Sequence, residues 1–317
     1  MNKSVTGNVG DENLLAVHSV NKFVFSVPDL AIAKKFYESF GLDVREHNGC
    51  IDLYTFGHPH CWGSVYESGD RKKLQYVSYG IYAEDETAFK EKIEQLGIGI
   101  KGHDFGGNNG IWFLNPDGVA TQLLVATKVS PSEKTKLVPA DLPELGKGAA
   151  PSRSKVHVVQ PRYLSHILLF TPDVVRMTEF FNKVLGLRVA DYSADIIAFN
   201  YSPHGSDHHL VALAKSNGPG LHHTSWDVGS VNDIGVGSEQ MRNAGWDKGW
   251  GVGRHVLGSN YFYYVEDPWG SFAEYSCDID FVPAGFDWPA ANHAPEDSLY
   301  VWGPQLPANF IANTEIA

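Results

Sequence analysis

The sequence predicts an α+β protein of two similar domains, each built as strand, helix and further strands used twice over. Three observations carry this. A strand over Val20 to Val27, the pair Pro28-Asp29 and a helix stopped by Gly41-Leu42 return as Leu164 to Thr171, Pro172-Asp173 and a helix stopped by Gly186-Leu187, offset by 144 and then 145 residues. Asn115-Pro116-Asp117-Gly118 followed by Gln122 is matched by Asp267-Pro268-Trp269-Gly270 followed by Glu274, each placing a polar residue six after the proline. And 317 residues, 43% of them apolar, exceed one ordinary domain and suffice for packed cores.

Taken in order, residues 1–19 are a polar leader and residues 20–128 the first unit. Its first helix sets Leu30, Ala33, Phe36, Tyr37 and Phe40 on one face, and a second runs from Asp85 to Leu96 before Gly97. Residues 129–160 form a linker, because Ser130 to Ser154 is rich in Ser, Pro, Lys and Gly and has no clear period. The second unit spans residues 161–282. Val174, Met177, Phe181 and Val184 line its first helix, and Val231 to Ala244 forms its second, ahead of Gly245. Tyr261 to Val265 and Ser271 to Cys277 read as strands joined by the Asp-Pro-Trp-Gly turn. On the last strand Phe272, Glu274 and Ser276 share one face, so Glu274 lies among largely apolar neighbours and needs a partner. Residues 283–317 carry Phe286, Trp288, Tyr300, Val301 and Trp302, too apolar for a free tail. They read as a strap across the second unit, either covering the mouth of a site or only anchoring.

A formal charge of −12 argues against nucleic acid or an anionic membrane as partner, since both call for a basic patch. A small molecule is the expected partner. No run of apolar residues is long enough to span a bilayer, and the first residues lack a signal peptide's apolar core, so a cytoplasmic location is expected. Cys50, Cys61 and Cys277 are far apart with no Cys-x-x-Cys pair, which points to reduced thiols.

The duplication supplies an internal control for chemistry. His166 stands where the first copy has Lys22, Glu274 where it has Gln122, and His223 where it has Tyr76. Two imidazoles and one carboxylate from three strands form the ligand set of a mononuclear Fe(II) site with open positions, which Mn(II) also accepts. His255, Tyr264 and Glu274 follow one another at spacings of nine and ten residues. His208 and His222 adjoin functional histidines, and strand alternation would turn them to the opposite face as supporting or packing groups. His58, His60 and His204 look like solvated loop residues.

These residues resemble the type I extradiol ring-cleavage dioxygenases of the vicinal oxygen chelate superfamily. The resemblance covers about residues 20 to 282. It rests on Ser165-His166-Ile167-Leu168-Leu169-Phe170, on Asp207-His208-His209-Leu210-Val211-Ala212-Leu213, on Asn217-Gly218-Pro219-Gly220-Leu221-His222-His223, and on the stretch from His255 to Glu274. It implies two βαβββ modules per domain, the glyoxalase/bleomycin-resistance/dihydroxybiphenyl dioxygenase fold, with a metal site in the second domain and none in the first. It further implies Fe(II) on His166, His223 and Glu274, His209 as the acid/base, and His255 and Tyr264 hydrogen-bonding the substrate. The implied reaction is extradiol cleavage of a catechol by O2 to a 2-hydroxymuconic semialdehyde type product, in a homo-oligomer.

For the ring pocket the sequence offers Trp250, Tyr261, Phe262 and the region of Trp302 as walls. After Asp233 the only arginines are Arg242 and Arg254, with Lys248 a weak substitute, so an uncharged, substituted single-ring catechol is favoured over a carboxylated one. Two other readings stand beside this one. A glyoxalase-like isomerase or lyase would spread its ligands over two modules, and a binding protein would have no use for a full ligand set.

Overall fold

The structure, a computed structural model, describes residues 14–140 and 142–316; the leader lies outside the described residues up to residue 13. Two large mixed sheets dominate it. The first runs in the order Asp43–His47, Cys50–Tyr54, Gly63–Glu67, Ser19–Val27, Lys73–Ile81, Ala120–Val125, Ile111–Leu114, Gly99–Ile100. In the second the order is Ala291–Asn292, Arg188–Ser193, Ile197–Tyr201, Val211–Lys215, Tyr163–Thr171, Gly220–Asp227, Phe272–Cys277, Tyr261–Glu266, Gly249–His255, Tyr300–Trp302. Its two edge strands come from the segment after residue 283.

The repeat extends to hydrogen-bond register. Lys22 faces Ser78, which faces Gln122; His166 faces Ser225, which faces Glu274. Tyr76 lies opposite Val24 as His223 lies opposite Leu168. The two sheets therefore present equivalent positions, and only the side chains differ.

Both first helices start the same way. Asp29 accepts from the Ile32 amide and Asp173 from the Arg176 amide, satisfying a donor that the first turn leaves unpaired. Both end on a glycine in the left-handed region, Gly41 at φ 94° and Gly186 at φ 70°, where a Cβ would be strained. One difference is informative. The second helix is α-helical over Val174–Phe180 and then widens to a π turn over Phe181–Leu185, whereas the sequence pattern predicts an uninterrupted helix. The change of offset from 144 to 145 is this one extra residue, taken up as a π bulge so that both caps keep their places.

The core is continuous between the sheets. Phe40 of the first helix stacks on Tyr275 at 3.9 Å, and the Tyr275 hydroxyl donates to the Phe40 carbonyl at 2.8 Å. Lys72 and Asp267 form an ion pair buried at 2% exposure each, with the Lys72 ammonium 4.5 Å above the Phe25 ring. What distinguishes the units is the filling of their sheets. In the first, Val24, Tyr76, Trp112 and Ala120 pack together, with Tyr66 and Phe105 against them. In the second, the equivalent place is a cavity of about 230 Å³.

Candidate active site

The cavity collects every residue that the sequence marks for chemistry except Glu274, which lies fully buried just behind its wall. One ligand atom from each of His166, His223 and Glu274 lies within 4.8 Å of the others. His166 Nε2 and His223 Nε2 stand 3.3 and 3.6 Å from Glu274 Oε2. Tyr264 Oη is 2.9 Å from His255 Nε2, and the His209 ring centroid is 4.1 Å from that of His166.

Local irregularities in the strands produce this arrangement. Ser225 and Trp226 pair with His166 and Leu164, so Ser165 is an extra residue; Leu221 and His223 pair with Leu169 and Leu168, so His222 is another. A bulge re-aims the side chains beside it. This corrects the expectation that His222 points away on the opposite face, since it lines the cavity beside His223, while His208 stays off the cavity lining; neither merely fills space. Each instead bonds, Nδ1 to Nδ1, with the histidine that follows it: His222 to His223 at 2.6 Å and His208 to His209 at 3.1 Å. Ser165 Oγ lies 3.3 Å from His166 Nδ1. In all three cases the preceding side chain holds the Nδ1 edge.

These bonds settle which nitrogen is bare. His222 Nε2 lies 2.6 Å from the Phe310 carbonyl, to which it can only donate. In the neutral ring His222 Nδ1 is then an acceptor and takes the Nδ1 proton of His223, leaving His223 Nε2 with a lone pair. Ser165 donates to Asp207 at 2.7 Å and so accepts from His166 Nδ1, leaving His166 Nε2 bare as well. Asn260 Nδ2 donates to Glu274 Oε1 at 3.1 Å and to Ser276 Oγ at 2.9 Å. That fixes the carboxylate and leaves Oε2 free.

The free atoms are the test of a metal. His223 Nε2 and Glu274 Oε2 are fully buried and have no hydrogen-bond partner, and of the buried unpartnered side-chain atoms these two lie together, facing His166 Nε2. An unpaired buried carboxylate oxygen is costly, and a divalent cation among two bare imidazole nitrogens and that oxygen would satisfy all three. The residues fit the group. Burial, and then the neighbouring imidazoles, hold His209 and His223 well below the ordinary histidine range; burial also lowers His255 and pushes the Tyr264 phenol well above its own. Burial thus favours the neutral ring at His209, His223 and His255, the form in which an imidazole binds a metal.

Behind this cluster Phe262 stacks on His255 at 4.0 Å, and Trp250 stacks on Tyr264 at 5.6 Å. These are supports rather than walls, and Tyr261 pairs with Trp302 away from the cavity. The walls are Leu168, Phe170, Ile197 and Phe199 on one side and Leu299, Leu306 and Phe310 from the C-terminal segment on the other. The proposed aromatic walls faced the wrong way because the strand Tyr261–Glu266 turns Tyr264 to the cavity and stacks its aromatic neighbours behind. His255 Nδ1 donates to the Leu299 carbonyl at 2.8 Å, so the same segment sets the His255 tautomer. His60 and His204 are half-buried anchors bonded to the carbonyls of Asn21 and Ala16, and His58 is half-buried beside Trp62. None of the three is a solvated loop residue.

Sequence reasoning missed Asn260, Ser165 and Asp191. Asn260 follows Gly258-Ser259 and reads as turn composition. Asp191 carried a usable sign: it is an isolated acid inside the strand Arg188–Ser193, directly after Val189 and Ala190.

The profile of the Glyoxalase/Bleomycin resistance protein/Dioxygenase superfamily matches residues 163–275, the stretch that holds all three candidate ligands. Metapyrocatechase 2 of Cupriavidus necator is 48% identical over 301 residues, covering 95% of this chain and 93% of that protein. Two solved structures share the fold. The Mn(II)-bound glyoxalase from Novosphingobium aromaticivorans superposes with a TM-score of 0.72 at 23% identity, over 93% of this chain and 94% of its own. Homoprotocatechuate 2,3-dioxygenase from Arthrobacter globiformis gives 0.74 at 19%, over 95% and 92%. A glyoxalase and a dioxygenase fit this backbone almost equally well, so the fold leaves the chemistry open, and the near full-length sequence identity decides it: the chain belongs to the extradiol ring-cleavage dioxygenases of this superfamily.

Proposed function

We propose that this extradiol dioxygenase opens an uncharged, substituted single-ring catechol with O2 at an Fe(II) held by His166, His223 and Glu274, giving a 2-hydroxymuconic semialdehyde type product. The observation that carries the reading is the pair of buried, unpartnered atoms, His223 Nε2 and Glu274 Oε2, facing His166 Nε2 at the foot of an apolar cavity. Mn(II) is the second metal that this donor set accepts.

When bound, the metal supplies Lewis acidity toward the catechol oxygens and a redox path between ring and O2. The chain's own residues do the rest. His209 borders the cavity with no protein group on Nε2 among the described residues, so that nitrogen can take a catechol proton and later return one. Tyr264 donates its proton to His255 Nε2, because His255 Nδ1 is committed to the Leu299 carbonyl; its oxygen then presents lone pairs to a substrate hydroxyl. Leu168, Phe199 and Phe310 hold the ring and exclude water.

The cavity volume of about 230 Å³ suits one ring with a small substituent, below the ~300–1,000 Å³ of sites for larger ligands. Among the described residues no arginine lines it. Arg242 pairs with Glu239, Arg254 donates to the Ser259 carbonyl, and the one lining cation, Lys215, is bonded to Asp195. A carboxylate on the ring would find no guanidinium and would have to compete with Asp195 for Lys215. Under air, Fe(II)-loaded protein should consume O2 and form a yellow product with alkyl- or halogen-substituted catechols. Carboxylated catechols should fall at least ~100-fold lower in kcat/KM, the cost of burying a charge without a guanidinium partner. Equal turnover of both classes would remove the substrate assignment.

A further inference from the structure

His208 is absent from the catalytic reading above, yet it is fully buried and bonded at both ring nitrogens. Its Nε2 lies 2.9 Å from Asp191 Oδ2 and its Nδ1 lies 3.1 Å from His209 Nδ1. We propose that Asp191 and His208 are positioning residues that hold His209 in one tautomer and one orientation, with its Nε2 lone pair aimed into the substrate cavity. This rests on the acid–base reading of His209 and deepens it.

Asp191 receives hydrogen bonds on both oxygens: His208 Nε2 and Trp288 Nε1 reach Oδ2, and His293 Nε2 and the Ala291 amide reach Oδ1. A carboxylate with two certain donors, an indole and an amide, is an acceptor throughout. Burial opposes its ionisation, but the bonds from His208 and His293 win and hold its pKa below the ordinary carboxylate range. His208 must therefore present Nε2–H to it, and in the arrangement proposed its Nδ1 carries the lone pair. Nothing but a donor can sit 3.1 Å from that lone pair. His209 supplies its Nδ1–H, and its Nε2 is left bare. The opposite tautomer of His209 would set two lone pairs against each other.

The arrangement parallels the roles in a carboxylate–histidine relay, in which the outer group fixes the ring that works. Here a second imidazole, His208, is interposed between Asp191 on the strand Arg188–Ser193 and His209. Packing holds the chain in place: Phe199 lies 4.8 Å from the His209 ring, and Trp288 lies 5.2 Å from that of His208. The supporting side chains thus have two separate jobs. Ser165 and His222 leave Nε2 bare on His166 and His223 for a metal, whereas His208 leaves it bare on His209 for a proton.

The test reads the tautomer directly. Full-length chain labelled with 15N-histidine and purified without metal is examined by NMR, with the His209 signals identified by their loss in His209→Asn. The expected spectrum has His209 protonated at Nδ1 and bare at Nε2, and His208 protonated at Nε2. A wild-type His209 protonated at Nε2 would overturn the proposal. In Fe(II)-loaded enzyme, His208→Phe should lower kcat ~10–100-fold, the range for lost support of a functional histidine, with KM within ~3-fold and iron content unchanged. His208→Gln, whose amide can both accept from His209 and donate to Asp191, should recover most of that loss. Equal defects in the Phe and Gln variants, or loss of iron in both, would mean packing alone and would overturn the proposal. Undiminished turnover in His209→Asn is a separate failure. It would remove the acid–base reading, while the spectrum would still report the tautomer.

Discussion

A buried histidine can offer a metal only the nitrogen that its neighbours leave free. His166 and His223 each give up Nδ1 to the side chain of the preceding residue, Ser165 or His222, and keep Nε2 for the ligand cluster. His222 owes its own state to the Phe310 carbonyl, so a backbone atom near the C-terminus decides which edge of His223 faces Glu274. His222→Phe keeps the ring's bulk and removes the acceptor. It should weaken Fe(II) affinity ~10–100-fold with the fold intact, as measured by competition with a chelator and by circular dichroism. Unchanged affinity would mean that His222 only fills space. At this scale the cluster of His166, His223 and Glu274 was legible, because the three are replaced by Lys22, Tyr76 and Gln122 in the sister copy. Their supporting groups were not. Asn260 is 14 residues from Glu274 and Asp191 is 17 from His208, and turn composition hides the first while only an isolated acid in a strand hints at the second.

At the scale of elements, strands and helices followed their periods where the backbone is regular and departed from them where it is not. The helix face of Leu30, Ala33, Phe36, Tyr37 and Phe40 is buried as the 3.6-residue period requires. Period-2 alternation failed at Ser165 and His222, because a bulge adds one residue and reverses the face of its neighbours. The π turn at Phe181–Leu185 is the helical counterpart, visible beforehand only as an offset that changes by one. The C-terminal segment shows how an element with no clear period can still build a site. Phe310 packs on Trp250, Tyr264 and Phe272 while it walls the cavity. Phe310→Ala should cost on the order of 3 kcal/mol in denaturant stability. The enlarged cavity should raise the preference for a bulkier ring substituent ~10-fold in kcat/KM relative to catechol. A variant with wild-type selectivity would place Phe310 outside the substrate's reach.

Across the whole molecule, one backbone plan is used twice with opposite contents. The register of the two sheets matches position for position, yet Tyr76 and Trp112 fill the first sheet while His223 and Tyr264 border a cavity in the second. Bulky aromatic side chains turn one copy into core, and the other is left to bind. The two do not act as separate bodies, since the Phe40–Tyr275 stack and the Lys72–Asp267 pair join them through a single core. Among the described residues no helix is long and apolar enough to cross a membrane.

The central claim is that extradiol cleavage runs at a metal held by His166, His223 and Glu274. Wild-type protein and Glu274→Gln, both reconstituted anaerobically with Fe(II), should be mixed with a substituted catechol under air while iron content, O2 uptake and visible absorbance are recorded. The wild type should bind one iron per chain and consume one O2 per catechol with a yellow product; the variant should lose most of its iron and its oxygen uptake. Full iron occupancy and turnover in Glu274→Gln, or one bound iron with no uptake in the wild type, would contradict the account.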